Sequence, residues 1–162
     1  NTSGTLHVRT INSSTPLGVI TQSEMAGLDM TVNYYRNGTR NNEPNYKQGE
    51  DIVAEITIRN TGNIGLYEEL ALTFMFPSGF EFLNERLTTG VNPFQGADNV
   101  DIRDDRAYLY FSLNQGQSKT FKLRFNAAYS GTYLLPAITC SAMYDNSITA
   151  TLPGNTITIT RD

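Results

Sequence analysis

The nine residues Ile52-Val-Ala-Glu-Ile-Thr-Ile-Arg-Asn60 constrain the fold more than any other stretch. Ile52, Ala54, Ile56 and Ile58 share one face, and Glu55, Thr57 and Arg59 share the other. Alternation with a period of two puts one face in a core and the other in water, as a half-buried strand requires. Most of its apolar residues are β-branched and suit a pleated surface. Thr61-Gly62-Asn63 then ends the run with turn chemistry.

The same signature recurs along the chain. Leu6 to Thr10 predicts a short edge strand. Leu28 to Tyr35 alternates and stops at Asn37-Gly38, a strong hairpin signal. Leu70 to Phe76 is apolar and stops at Pro77-Ser78-Gly79, and Phe80 to Leu83 is brief. Ala107 to Leu113 turns Leu109, Phe111 and Leu113 inward and Tyr108 and Tyr110 outward. Thr120 to Ala127 points Phe121, Leu123 and Phe125 one way, with Lys122 and Arg124 opposite. Gly131 to Cys140 contains Pro136, which predicts an edge position or a bulge. Ile148 to Leu152 and Thr156 to Thr160 flank Pro153-Gly154. Leu66 to Leu70 has room for a single helical turn, too short to stand alone.

Short strands with turn signals about every 8–12 residues predict an all-β chain. The expected fold is an antiparallel β-sandwich, immunoglobulin-like or macroglobulin-like, of about nine strands. The 20 threonines and 16 asparagines among 162 residues suit strands and turns better than helices. Residues 1–27 read as a preceding strand and a polar connecting segment, and residues 28–162 as the sandwich domain. Residues 84–99 read as a second long loop. With no initiator Met or leader at Asn1, the chain is expected to be a mature or excised fragment.

Several chemistries are argued against. A net charge of −4 does not suit a nucleic-acid partner. No apolar run approaches the roughly 18 residues of a membrane span, so direct membrane insertion is not expected. A lone Cys140 rules out a disulfide scaffold and reads as a small core residue. His7, the one histidine, would be the base of any Ser-His-Asp arrangement, and it lies on an expected edge strand. Gly62 and Gly65 follow a strand but precede no adequate helix, so no nucleotide cofactor is called for. Asp98, Asp101, Asp104 and Asp105 form the densest carboxylate group and a weak calcium candidate. Arg103 and Arg106 interleave with them, which favours local ion pairs and turns, and no metal or other cofactor is expected. Nothing in the spacing selects a carboxylate pair for glycoside hydrolysis.

Aromatic and apolar features leave choices open. Tyr108 and Tyr110 make either a binding stripe or cross-strand packing. One of Tyr129 and Tyr133 is expected to brace a corner through its hydroxyl. Met143 and Tyr144, in Ser141-Ala-Met-Tyr-Asp145, follow a strand end and predict a loop tip. A methionine and a tyrosine there are either a local plug or an exposed contact surface.

Taken in order, four stretches resemble the C-terminal domain of bacterial α2-macroglobulin-like proteins. They are Gln48-Gly-Glu-Asp-Ile-Val-Ala-Glu-Ile-Thr-Ile-Arg-Asn-Thr-Gly62; Tyr67-Glu-Glu-Leu-Ala-Leu72 with Phe76-Pro-Ser-Gly79; Asp101-Ile-Arg-Asp-Asp-Arg106; and Ala127-Ala-Tyr-Ser-Gly-Thr-Tyr-Leu-Leu-Pro136 followed by Ala142-Met-Tyr-Asp145. The resemblance, to the MG10-type domain equivalent in position to the eukaryotic receptor-binding domain, covers roughly residues 28–162. It implies a non-catalytic domain of an exported, periplasmic or cell-surface protease trap, membrane-anchored through the distant amino terminus of its parent. Its partners would be other domains of that chain, above all a thioester domain, with target proteases engaged through the parent. It also implies that Met143 and Tyr144 help cover the thioester. The thioester itself is not here, because Cys140 is followed by Ser141, Ala142 and Met143 and not by the required Cys-x-x-Gln. The competing readings are a surface adhesion or carbohydrate-binding sandwich, and a hydrolase using the Asp98 to Asp105 loop.

Overall fold

The computed structural model describes residues 20–83 and 94–161. The Leu6 to Thr10 strand, His7, the first 19 positions of the leading segment and positions 84–93 of the second loop lie outside the described residues.

The described chain is all-β and antiparallel but for one strand pair. One sheet runs in the order β1 (Glu24–Ala26), β13 (Thr149–Leu152), β12 (Ile138–Ala142), β6 (Tyr67–Met75), β9 (Arg106–Leu113) and β8 (Asn99–Ile102). The facing sheet runs β3 (Thr39–Arg40), β2 (Leu28–Arg36), β5 (Asp51–Asn60), β10 (Ser118–Ala127) and β7 (Phe80–Phe82). A smaller third sheet joins β11 (Gly131–Leu135), β14 (Asn155–Thr160) and β4 (Asn45–Lys47), with β14 and β4 parallel. The strands outnumber the expected nine because short edge pieces such as β1, β3, β4 and β8 carry too few residues to show a period.

Alternation places the core. Ile52, Ala54, Ile56 and Ile58 on β5 are fully buried, as are Phe121, Leu123 and Phe125 on β10. Leu109, Phe111 and Leu113 of β9 face them from the other sheet. Rings cross the interface: Phe111 lies 5.0 Å from Phe121, and Phe74 stacks on Phe125 at 5.7 Å. Phe125 also meets Phe76, Phe80 and Phe82, so one aromatic cluster closes that end of the sandwich.

Turn chemistry falls where expected at Asn37-Gly38. Both residues have positive φ, 50° and 78°, which the two-residue hairpin between β2 and β3 requires. Two expectations are revised. The stretch from Gly131 to Cys140 is not one strand: it breaks at Pro136-Ala137, and its halves join different sheets. Proline has no N–H to continue a ladder, so the chain changes layer there. Leu66 to Leu70 makes no helical turn; Tyr67 onward is β6, with a register shift between Tyr67 and Leu70.

Candidate functional site

Two loops meet at one place on the sandwich. The first, residues 61–66, carries the chain from β5 to β6 and so crosses between the two large sheets. Its anchor is Asn60, a fully buried polar residue at the end of the most regular strand. The Asn60 Nδ2 donates to the carbonyls of Gly65 (2.8 Å) and Leu113 (3.0 Å), and its Oδ1 accepts from the Gly62 N–H (3.0 Å). A buried amide so satisfied fixes a loop that has no ladder of its own. Tyr67 packs beneath: a Cβ on Gly62 would stand 1.7 Å from its hydroxyl oxygen, so only glycine fits. The result holds Ile64 75% and Leu66 47% exposed, two large apolar side chains that the loop does not bury.

The second loop joins β12 to β13 and carries Met143, 50% exposed, and Tyr144, 86% exposed. It too is pinned by hydrogen bonds. The Met143 N–H donates to the Glu69 carbonyl (3.0 Å) and the Ile148 N–H to the Asp145 carbonyl (3.1 Å). Asp145 accepts from both the backbone and the hydroxyl of Ser147, which holds its carboxyl below the usual carboxylate range. Glu69 has φ of +52°, a conformation unfavourable for a side chain with a Cβ. Its strain belongs to the bulge that opens β6, and the bulge leaves both Glu68 and Glu69 outward where a regular strand would turn one inward.

Grooves flank the tip. One, of about 460 Å³, lies between the loops and is lined by Ile64, Leu66, Glu68, Tyr144, Asp145 and Ile148, among others. The other, of about 630 Å³, runs past Met143 to Tyr110, Asp98 and Asp101. The expected loop tip is therefore real, and Met143 and Tyr144 project from it and do not plug it locally.

Of the remaining candidates, Asp98, Asp101 and Tyr110 reach the groove beside the tip. Asp101 pairs with Arg103 at 3.0 Å and Asp105 with Arg106, the local pairing the interleaved charges predicted. Among the described residues no three carboxylate, thiol or imidazole groups converge on a common point. Asp98 and Asp101 face the Met143 groove, Asp105 is held by Arg106, and Asp104 lies exposed in the turn before β9. Cys140 is a fully buried strand residue, and burial pushes its thiol up to about 12. Tyr133 donates its hydroxyl to the Ser130 carbonyl (3.2 Å) and is the corner brace; Tyr129 is exposed. Tyr108 serves packing, its ring beneath Arg103 and its hydroxyl taking a bond from Arg106. No helix among the described residues is long and apolar enough to cross a membrane.

The family model for the bacterial alpha-2-macroglobulin MG10 domain matches residues 27–146, most of the chain. The chain belongs to this MG10 family. The α2-macroglobulin of Rickettsia conorii is 28% identical over 127 residues, covering 74% of this chain and 6% of that protein. The chain thus spans a small fraction of the length of the curated relatives it matches. Among solved structures, native Escherichia coli α2-macroglobulin, from domain MG7 to its C-terminus, superposes with a TM-score of 0.74 at 17% identity, over 90% of this chain and 24% of that one. Salmonella α2-macroglobulin reacted with methylamine superposes with a TM-score of 0.75 at 22% identity, over 90% of this chain and 10% of that one. At such identities the superpositions establish the fold.

Met143 and Tyr144 were expected from the sequence of this MG10 domain; Asn60, Ile64, Leu66 and Glu69 were not. The signal for the loop was present in Gly62-Asn-Ile-Gly-Leu66: two large apolar residues inside turn chemistry have no core face to occupy. Glu69 gave no signal, because a bulge arises from pairing with β9 and not from the local sequence.

Proposed function

We propose that this chain is the non-catalytic C-terminal domain of a bacterial α2-macroglobulin-like protease-trapping inhibitor. In this reading it packs on a thioester domain of the same parent chain, and Met143 and Tyr144 help shield the thioester. The single observation that supports it most is the pair of large side chains held out in solvent on a hydrogen-bonded tip. Aromatic and methionine side chains displayed on fixed backbone are the composition of an interface centre.

The physics of shielding is direct. A thioester is attacked by water and amines, and apolar surface excludes both until the domain moves away. Tyr144 supplies area and one hydroxyl that can hydrogen-bond its cover. The thiol must come from another domain, because Cys140 is buried and lacks a Gln three positions on. Target proteases are then engaged by the parent and not by this domain. Its location would be exported, periplasmic or cell-surface, membrane-anchored through the parent's amino terminus. The Salmonella relative was solved after reaction with methylamine, and we carry that reactivity to this chain's parent.

Methylamine inactivation of the full-length protein tests the reading. Tyr144→Ala leaves folding intact and speeds release of the thiol. An unchanged rate removes the shielding role. Binding of the domain to a glycan array would instead support the adhesion reading.

A further inference from the structure

The two grooves share an electrostatic property that the shielding reading does not use. Glu68, Glu69 and Asp145 line the groove beside Tyr144, and Glu69, Asp98 and Asp101 line the one beside Met143. Among the described residues, no Lys, Arg or His lines either groove. Arg103 pairs with Asp101, and among the described residues no ion pair involves Glu68, Glu69, Asp98 or Asp145. The Asp145 carboxylate is turned into its own loop and is held in the charged form by Ser147. Glu68 and Glu69 are adjacent because the β6 bulge, with its unfavourable φ at Glu69, sets both outward. An apolar centre of Ile64, Leu66, Met143 and Tyr144 is thereby edged by carboxylates.

We propose that this tip docks on an apolar patch of a neighbouring domain of the parent chain that is ringed by Lys and Arg side chains. The proposal rests on the docking reading above and adds both Ile64–Leu66 as the second half of the contact and the sign of charge on its partner. Charge complementarity carries it. Bringing an anionic rim against a neutral or acidic surface would desolvate several carboxylates without compensation, whereas a cationic rim pairs them and fixes the register of the two domains. The apolar centre supplies the affinity, and the rim selects the partner face.

Hydroxyl-radical footprinting of the full-length protein, read by mass spectrometry and normalised to the urea-unfolded protein, tests this. In the wild type, Ile64, Leu66, Met143 and Tyr144 should label several-fold less than when unfolded. Glu68→Lys with Glu69→Lys should raise their labelling several-fold, and Glu68→Gln with Glu69→Gln by less. Raising salt on the wild type from about 0.1 M to about 1 M shortens the screening length from about 10 Å to about 3 Å and should also raise it. That salt arm needs no variant to fold. Protection of Tyr144 that responds to neither charge reversal nor salt overturns the cationic partner while leaving docking in place. Protection of Met143 and Tyr144 but not of Ile64 and Leu66 overturns the two-loop contact. Labelling of all four at the unfolded level overturns the docking reading itself.

Discussion

Asn60 is where the fold and the site are joined, so its substitution is the sharpest perturbation. Asn60→Ala removes two donated and one accepted hydrogen bond, at 2.8, 3.0 and 3.0 Å. At about 1 kcal/mol net for each bond, the loss is about 3 kcal/mol. With slopes of about 1–3 kcal/mol per molar urea, the midpoint should fall by about 1–3 M. Asn60→Asp adds a sign. An oxygen replaces the Nδ2 that faces the Gly65 and Leu113 carbonyls, and burial with those dipoles disfavours the carboxylate. The folded pKa is therefore raised above the unfolded value of about 3.9. A raised folded pKa gives stability that is complete below the unfolded pKa and is lost as pH climbs through the folded one. The Asn60→Asp deficit should thus widen between pH 4 and pH 7, while the Asn60→Ala deficit stays flat. Urea unfolding followed by far-ultraviolet circular dichroism at both pH values measures this. A loss below about 1 kcal/mol for Asn60→Ala, or an aspartate deficit that narrows with pH, would show that the buried amide does not anchor the loop.

Other substitutions probe separate parts of the structure. Phe125→Ala empties the centre of the ring cluster and should cost about 3–5 kcal/mol in the same urea assay, since four rings lose their common neighbour. Glu69→Gly relieves the positive φ at the β6 bulge and should raise stability by about 1 kcal/mol, while removing one of the rim carboxylates. Cys140 should resist iodoacetamide at pH 8 until the protein unfolds. Its folded pKa is raised, so its contribution to stability should decline as pH rises from about 9 towards about 12, and Cys140→Ala should lessen that alkaline slope.

What local pattern encodes, the sequence declared. β5 and β9 bury the residues that a period of two assigns inward, and Asn37-Gly38 makes its hairpin. Met143 and Tyr144 were recognisable as a tip because they follow a strand end and precede turn residues. What depends on distant pairing stayed hidden. Pro136 announced an irregularity, but only the ladder partners reveal that β11 and β12 belong to different sheets. Glu68-Glu69 read as part of a possible helical turn because the bulge is imposed from β9. Asn60 read as the polar end of a strand, and its burial depends on Gly65 and Leu113 closing over it. The apolar 64–66 loop is half of the tip, yet 143–148 lies far away in sequence, and no local window joins the two.

A cryo-electron-microscopy map of the full-length protein before any protease cleavage tests whether this tip covers the thioester. Tyr144 and Met143 should lie within about 4 Å of a neighbouring domain and over its Cys-Gln thioester, with their ring and thioether excluded from water. A map in which that tip faces open solvent, or in which the thioester lies capped by other domains, would contradict it.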